Sequence, residues 1–379
     1  MASNTLSGLL RTIYDAMDVV SRELVGMVPS VTMDAEAERV ALGQVVSWPV
    51  TPVIASSSIE PAATGPDPAA RTIAPDTMTI DNSEAAPFMW TGEEGNTARK
   101  DRIMQDSFAQ SFRTLSTKIE VDLCELYKAS SRAYGTIAAD PFGSTLGDTA
   151  QIKKVLDDNG ANPGDRQLVI NTAAGAAMRT LTQLSKANEA SDSSLLRQGV
   201  LLDVHGMAIR ESAQIQSHTA GTATSFDANG GEPVGETTIV VDGSDSGTIL
   251  AGDLVSFVGD TGKYVVQSST ASGAATGNIV IAKPGLTSAL ATTVEGSLAA
   301  AYSANLAFSR SAIRLMARAP MRAENDNADD VLLLTDPLSG LTFEIAVYGQ
   351  YRRTAYEVSI AWGVKAVKPE HMAILIGKA

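Results

Sequence analysis

TARKDRIMQDSFAQSFRTLSTKIEVDLCELYKASSRA (residues 97–133) is the longest stretch of this chain with a helical pattern. Apolar residues recur in it at steps of three or four: Met104, Phe108, Phe112, Leu115, Ile119, Leu123 and Leu126. This spacing predicts one helix with an apolar stripe, and no Pro or Gly interrupts the stretch. At 1.5 Å per residue the helix would be roughly 50 Å long, so an extended partner is expected along it.

The segment before this helix has the pattern of an extended arm. Residues 43–92 hold seven of the fifteen prolines and show no helical period. Two limbs, residues 44–54 and 76–90, are rich in Val, Ile, Thr and Trp, whereas residues 55–74 are mostly Ser, Pro, Ala and Gly. The pattern predicts two strands around a long tip. Because an isolated ribbon is marginal in water, we expect the arm to lie on another copy of the protein; a linker between two domains is the alternative.

Composition describes a globular chain with an aliphatic core and an acidic charge balance. The 379 residues suffice for two or three domains, with 44% hydrophobic and only 5% aromatic residues. The net charge of −14 argues against general binding to nucleic acid phosphates or anionic membranes, since both need a positive surface. The single cysteine, Cys124, excludes an intrachain disulfide and is expected to be a buried apolar residue.

An amphipathic helix is predicted near the N-terminus. Apolar residues follow a helical period from Leu6 to Leu24, but charges such as Asp15 and Arg22 interrupt them, so no signal peptide is expected. No window approaches 18 uninterrupted apolar residues, and no membrane span is expected. The helix is either an ordinary core element or an arm that docks on a neighbouring molecule.

The middle of the chain changes character at about residue 222. Before it, helices and strands mix without regular alternation, which is typical of an α+β protein. Residues 222–300 contain only strand patterns and Gly-rich turns, which predicts a small barrel or sandwich inserted between α+β parts. Its eight carboxylates against two cations, Lys263 and Lys283, argue against an oligonucleotide-binding barrel. After it, residues 341–348 and 351–364 form a candidate hairpin, and a last strand covers 372–376.

No constellation of catalytic or metal-binding residues stands out. The three histidines, His205, His218 and His371, have no metal-ligand spacing, and His205 is expected to be structural although carboxylates are near it in sequence. Residues 259–263, GDTGK, lack the full spacing of a phosphate-binding loop and are expected to form a hairpin turn. We therefore predict no catalytic residue, no metal site and no cofactor.

Charged and aromatic side chains are the candidate contacts between subunits. Glu93 and Glu94 follow the arm, and carboxylates at a helix N-terminus can bind basic groups of a partner. A catalytic carboxylate pair and plain solvated charges are the alternatives. Residues 306–317 are predicted to be helical, with arginines four residues apart on one face. The predicted intersubunit residues are Trp90, Glu93, Glu94, Arg310, Arg314, Arg352 and Arg353, and a solvated surface is the alternative for the arginines.

The order of these features resembles the major capsid (coat) proteins of tailed double-stranded DNA bacteriophages. The resemblance covers nearly the whole chain and is closest to the coat proteins of short-tailed phages with an insertion domain. It is carried by the patterns already described and by five passages: TIYDAMDVVSRELVG (12–26), TGEE (91–94), LDDNGANPGDRQLVINTAAG (156–175), NLAFSRSAIRLMARAP (305–320) and YGQYRRTAYEVSIAWGVKAVKPEHMAIL (348–375).

The resemblance implies an α+β fold of the type named after phage Hong Kong 97, with an inserted all-β barrel. The implied parts are an N-terminal helical arm (1–42), an extended loop (43–96), a peripheral domain with the long spine helix (97–149), an axial domain (150–221 and 301–379, the latter including strands that return to the peripheral domain) and the barrel (222–300).

The resemblance also implies a function and partners. Hexamers and pentamers would assemble with a scaffolding protein and a portal protein, in the cytoplasm of a host bacterium, into an icosahedral virion shell. The shell would enclose double-stranded DNA without sequence-specific binding, would use no membrane, and is a possible site for a decoration protein. A β-rich surface or appendage protein and, less favoured, a hydrolase with an accessory barrel are the alternatives.

Overall fold

The chain is a mixed α+β protein, described in a computed structural model over residues 10–21, 25–34, 38–50, 54, 56, 73, 75–92, 100–143, 145–181, 184, 203–242, 247–271, 277–337 and 339–379. The helices assigned there are α1 Leu10–Ser21, α2 Lys100–Glu125, α3 Gly147–Asp158 and α4 Thr172–Thr180. The strands are β1 Thr32–Asp34, β2 Val45–Pro49, β3 Pro75–Thr79, β4 Asn82–Thr91, β5 Arg132–Gly135, β6 Arg166–Ile170, β7 Met207–Glu211, β8 Ser217–His218, β9 Ser225–Asn229, β10 Thr238–Asp242, β11 Leu254–Phe257, β12 Lys263–Ser269, β13 Gly277–Ile281, β14 Thr293–Leu298, β15 Tyr302–Ser309, β16 Ile313–Arg318, β17 Asp330–Thr335, β18 Thr342–Gln350, β19 Arg353–Ala366 and β20 Met372–Lys378.

The predicted long helix is confirmed as α2. Its described residues span roughly 39 Å at 1.5 Å per residue, and it ends at Glu125 rather than at the predicted residue 133, because a 3₁₀ turn over Leu126–Ala129 follows and leads into β5. Cys124 is buried, as expected, and burial raises the pKa of its thiol. The predicted stripe faces the core: Phe108, Phe112, Leu115, Ile119 and Leu123 are buried, and Met104 and Leu126 pack against them.

Helix α2 covers a six-stranded sheet. Strands β1, β16, β19, β18 and β17 follow one another, and β4 pairs with β19. Phe112 meets Phe343 of β18 edge-on, with ring centroids 5.0 Å apart. Phe108 lies 4.8 Å from Phe88 of β4 and 5.7 Å from Tyr356 of β19. These edge-on aromatic pairs join helix and sheet into one core.

The predicted hairpin is confirmed as β18 and β19. Its turn lies at Tyr351 and Arg352, two residues later than the sequence pattern indicates, because Gln350 still pairs with Arg353. Arg352 has a positive φ of 57°, which lets the two strands connect directly.

The prediction of a helix over residues 306–317 is wrong. β15 and β16 occupy this stretch, with a 3₁₀ turn over Arg310–Ala312 between them. Both strands are buried on nearly every residue, so their sequence lacks the alternation of a half-exposed strand. A spacing of four also puts residues on one face of a strand, since side chains alternate with period two. The arginine spacing therefore does not distinguish strand from helix.

Six strands close into an antiparallel ring. Their order is β11, β14, β9, β10, β13 and β12, and β12 pairs back with β11. The ring has its own core, in which Phe226, Phe257 and Tyr264 are buried among aliphatic side chains. Its observed form is a small barrel, the shape that the strand and turn pattern predicts.

The barrel continues into the rest of the larger sheet. β12 pairs with β5, and β20, β15, β6 and β7 follow. Helices α3 and α4 contribute to a second core with this sheet, in which Phe142, Ile152, Leu168 and Met178 are buried. Strand β6 runs through this sheet over Arg166–Ile170, and the helix α4 that follows it ends at Thr180.

Candidate assembly surfaces

The two-stranded arm is shorter than the sequence pattern predicts. β2 and β3 pair from Val45 with Thr79 to Pro49 with Pro75. The second predicted limb then divides, because β4 belongs to the six-stranded sheet of the same chain. Most of residues 51–74 lie outside the described residues, so the long tip remains a prediction.

Apolar side chains along the arm are exposed. The exposed fractions are 57% for Val45, 43% for Val50, 67% for Ile54 and 57% for Ile73. Among the described strands, β2 and β3 pair only with each other. Several exposed apolar side chains on a ribbon that pairs with no other described strand indicate a surface that binds another molecule.

The root of the arm is fixed to the body by a small core. Val40, Met78, Ile80, Met316 and Ala361 are buried together there, separately from the main core. Next to them β19 carries Gly363, where a Cβ atom would lie 2.3 Å from the carbonyl oxygen of Thr79. A side chain at this glycine would therefore push the arm away from the sheet.

Four polar and aromatic side chains, which we call the arm latch, reinforce this root: Trp48, Asp76, Arg314 and Lys365. The Arg314 guanidinium lies 4.5 Å from the centroid of the Trp48 ring, and the Lys365 Nζ atom lies 5.9 Å from it. Lys365 also donates hydrogen bonds to Asp76 Oδ1 at 2.5 Å and to the Thr77 carbonyl oxygen at 2.6 Å. Burial opposes ionisation of Asp76, but the hydrogen bond and charge of Lys365 hold the pKa of this carboxyl below its usual value.

Replacing Lys365 with Ala is expected to loosen the arm without unfolding the body. Loss of a partly exposed ion pair and a cation–π contact should cost about 1 kcal/mol, so amide hydrogen exchange of β2 and β3 should rise roughly fivefold at neutral pH. The control is Lys128→Ala, which removes an exposed pair with Glu125 away from the arm. Unchanged exchange in β2 and β3 would contradict the latch.

The same variant has an expected pH dependence. Because the folded-state pKa of Asp76 is lowered, the latch contributes stability above the ordinary value of 3.8 and loses it as the pH falls through the lower folded-state value. The difference in exchange between wild type and Lys365→Ala, compared at matched pH, should therefore shrink in acid.

The tip of the β18–β19 hairpin is a second exposed surface. Tyr351 is 90% exposed, and Arg352 and Arg353 stand beside it. The end of β4 lies against this tip, because the Gly92 amide donates to the Arg352 carbonyl oxygen at 3.0 Å and Arg353 pairs with Thr91. The tip is a basic and aromatic projection on an acidic chain.

The predicted intersubunit residues do not form one group. Trp90, Arg352 and Arg353 are close to one another at the hairpin tip, and Trp90 packs partly into the main core. Arg314 belongs to the arm latch, and Arg310 lies 3.9 Å from the Asp165 carboxylate of its own chain. Glu93 and Glu94 lie outside the described residues. A role of any of the seven between subunits remains a prediction.

The N-terminal helix packs on its own chain. Ile13, Met17 and Val20 of α1 are buried in the main core with α2. The chain that follows is held by Glu120 of α2, whose carboxylate accepts hydrogen bonds from the amides of three consecutive residues, 26–28. The described part of this helix is therefore a core element of its own chain rather than an arm on a neighbouring molecule.

A buried polar chain that the sequence did not indicate joins the barrel to the body. Tyr127, after α2, makes a 2.7 Å hydrogen bond with His218 Nδ1, and His218 Nε2 lies 2.8 Å from Asp253 at the start of the barrel strand β11. Asp253 also accepts the amides of Gly221 and Leu250. All three side chains are buried, and burial raises the pKa of Tyr127 to about 12. The group is therefore a buried structural joint between the barrel and the body.

The other residues that the sequence analysis considered for catalysis or metal binding do not form a site. His205 Nδ1 contacts Thr149 Oγ1 at 2.6 Å, whereas the nearby Glu211 is bound by Arg179 at 2.7 Å. Residues 259–262 form the turn before β12, as predicted. Across the described ranges, no three His, Cys, Asp or Glu side chains are arranged to hold a metal ion. Within the same ranges, no helix combines the length and the apolar character needed to cross a membrane.

Comparison with known proteins finds phage capsids at the level of solved structures. No protein-family model and no curated protein matches the chain. The capsid of the cyanophage P-SCSP1u is 12% identical, with 91% of this chain and 86% of that chain covered and a TM-score of 0.46. The mature capsid of bacteriophage PhiM1 is 10% identical over 93% of this chain and 86% of that chain, with a TM-score of 0.43.

The capsid of a native GTA particle is a further match, 10% identical over 94% of this chain and 91% of that chain, with a TM-score of 0.46. All three of these structures are capsids. Their low identities and TM-scores do not define a role for any residue, and the function is therefore argued from the surfaces of this chain.

Proposed function

We propose that this chain is a major capsid protein that assembles into the icosahedral shell of a tailed bacteriophage and encloses its double-stranded DNA. The observation that carries this proposal is the arm, a two-stranded ribbon fixed at its root and exposed along its apolar side chains. A root held by a small core and an ionic latch sets the direction of the ribbon. Such an arm is suited to reach a neighbouring copy at a defined angle.

The energetics of the arm fit an assembly of many weak contacts. Burying the exposed parts of four aliphatic side chains against a neighbour contributes about 1 kcal/mol for each side chain. This is modest for one pair of subunits, but a closed shell repeats the contact at every copy. A shell can therefore be stable while a free subunit stays soluble.

The finer architecture belongs to the same proposal. We assign the Hong Kong 97 type of fold, with α2 as the spine helix and the six-stranded sheet in the peripheral domain. The second core, with α3, α4 and their sheet, is assigned to the axial domain, and the barrel to the insertion domain. The proposed residue boundaries are those that the sequence resemblance implies, except that β1 and β4 belong to the six-stranded sheet and β5 to the larger sheet.

The partners follow from the resemblance and from charge. Hexamers and pentamers would assemble around a portal protein with the help of a scaffolding protein, in the cytoplasm of the host, and a decoration protein could bind outside. The net charge of −14 suits a container, because a strongly basic inner surface would hold DNA phosphates too tightly for release. In the finished virion the role is structural, without catalysis.

Electron microscopy of the expressed protein tests the proposal. Negative-stain images are expected to show closed shells or curved sheets when the scaffolding protein encoded beside it is coexpressed. The same protein expressed alone is the comparison, and it should give fewer or irregular assemblies. Monomers that persist under all conditions would contradict the proposed function.

A further inference from the structure

Strand β17 is the one long, apolar and proline-free sheet edge among the described strands. Most edge strands in soluble proteins are protected against pairing by prolines, charges or short length. Prolines protect three edge strands of this chain: β2 contains Pro49, β3 contains Pro75 and β4 contains Pro87. The edge strand β7 ends in the charged residues Arg210 and Glu211, and β1 and β8 are short, with three and two residues. β17 has six residues, DVLLLT, and its only described strand partner is β18.

The side chains of β17 alternate between the core and solvent. Leu334 is buried and Leu332 packs against the main core, whereas Val331 and Leu333 are 37% and 43% exposed on the opposite face. The Asp336 amide donates to the Leu341 carbonyl oxygen of the β18 ladder, so by the alternation of an antiparallel pair the backbone groups of Val331, Leu333 and Thr335 point away from β18. The Asp330 carboxylate accepts the Val331 amide at 2.9 Å, and Leu333 has no such side-chain cap among the described residues. The central part of the edge is therefore open to another strand.

We propose that β17 pairs antiparallel with β17 of a second copy, across a two-fold axis that passes through Leu332. This inference rests on the proposed function for its setting, a shell in which two-fold axes relate neighbouring subunits, and it adds a specific contact to it. An antiparallel pair puts directly opposed residues on the same face of the sheet. With Leu332 opposite itself, Val331 of each copy faces Leu333 of the other, and both apolar pairs lie on the exposed face.

The charges of the strand agree with this register. Asp330 falls opposite Leu334, and Asp329 falls opposite Thr335, so no two carboxylates are directly opposed. A shift of the register by one residue would place core-facing residues opposite exposed ones. A register centred on Leu333 keeps the faces matched but places Asp330 opposite Asp336, so the register through Leu332 is favoured.

The strength expected of this contact suits a shell better than a free dimer. Apolar cross-strand pairs contribute roughly 0.2–1 kcal/mol each, and a six-residue edge buries far less than the ~1,000 Å² of a stable interface. Subunits should therefore pair through β17 mainly when other contacts hold them together.

Single cysteines test the register. Leu332→Cys places two thiols across the axis, with Cα atoms about 5 Å apart, which is within the range of a disulfide. The control on the same strand is Thr335→Cys, whose thiol would lie roughly 20 Å from its counterpart. The natural Cys124 is buried and does not compete. After mild oxidation of assembled shells, we expect disulfide-linked dimers of Leu332→Cys and at least tenfold fewer dimers of Thr335→Cys.

Each other outcome overturns the inference. Shells of normal shape without Leu332→Cys dimers would show that β17 does not pair with itself, although the capsid function would stand. Equal crosslinking of both variants would exclude the register, and a disulfide from Leu332→Cys to an added Ala208→Cys on β7 would identify a different edge as the partner. If no shell forms, the capsid function fails, and the inference fails with it, because the β17 edges need a shell to hold them together.

A second variant covers the case in which a cysteine at this partly buried position disturbs the fold. Leu333→Lys changes an exposed residue and places a lysine opposite Val331 on each side of the axis, so neither of the two Val331–Leu333 pairs can form. Folded subunits, checked by circular dichroism, with at least a fivefold loss of closed shells are expected. A normal yield of shells from Leu333→Lys would overturn the inference.

Discussion

Replacing Glu120 with Ala is expected to lower the free energy of unfolding by roughly 3 kcal/mol or more. The Glu120 side chain is fully buried, and its two oxygens accept the amides of Gly26 and Met27 at 2.8 and 2.7 Å and that of Val28 at 3.0 Å. Each of these three buried donors would lose its partner, and each costs about 1–3 kcal/mol when it is left unsatisfied. Urea unfolding of the soluble subunit measures the loss as a lower midpoint at an unchanged slope.

Two further variants separate this role from a general effect of charge on α2. Glu125→Gln changes an exposed residue paired with Lys128 at 3.0 Å and should shift stability by less than about 0.5 kcal/mol. Glu120→Gln keeps the shape but presents an amide donor to one of the backbone donors, so it should fall between the wild type and Glu120→Ala. Equal stability of Glu120→Ala and wild type would refute the role of the carboxylate in holding residues 26–28.

Elements with a single strong period could be predicted from the sequence. The stripe from Met104 to Leu126 repeats every three or four residues, and only a helix gives this spacing one buried face. β15 and β16 were missed for the opposite reason. They belong to two different sheets, but each strand is buried on both faces. Polar residues such as Asn305 and Arg318 are therefore buried beside apolar ones, and no two-residue period appears.

The contacts that fix the candidate assembly surfaces could not be predicted, because they join residues far apart in sequence. Lys365 and Asp76 are separated by 289 positions and Glu120 and Met27 by 93. Trp48 gives no local sign that a guanidinium covers its ring. Composition did indicate the arm, since Pro, Ser and Gly between two β-rich limbs leave little to bury. It could not indicate that residues 82–91 return to the sheet, because an edge strand with one exposed face has the same composition as an arm.

Deleting residues 56–73 is expected to abolish closed shells and to leave a folded subunit. The deletion joins the strands β2 and β3 by a loop of about seven residues, and closing a shorter loop does not raise the entropic cost of the ribbon. The latch residues and the small core at the root of the arm all lie outside the deleted segment. The free energy of unfolding of the deleted subunit should therefore lie within about 1 kcal/mol of the wild-type value. Electron microscopy should nevertheless show no closed particles.

A length-matched variant decides which property of the segment matters. Replacing residues 56–73 by Gly and Ser keeps the reach of the arm but removes its apolar and proline residues. If the arm works by packing on a neighbour, this variant should fail to close shells as the deletion does, because a flexible polar chain offers no surface to bury and must be ordered at a cost. If it works only as a tether between subunits, the Gly/Ser variant should restore closure. Normal shells from the deletion itself would exclude both, and with them the arm as the element that connects the copies.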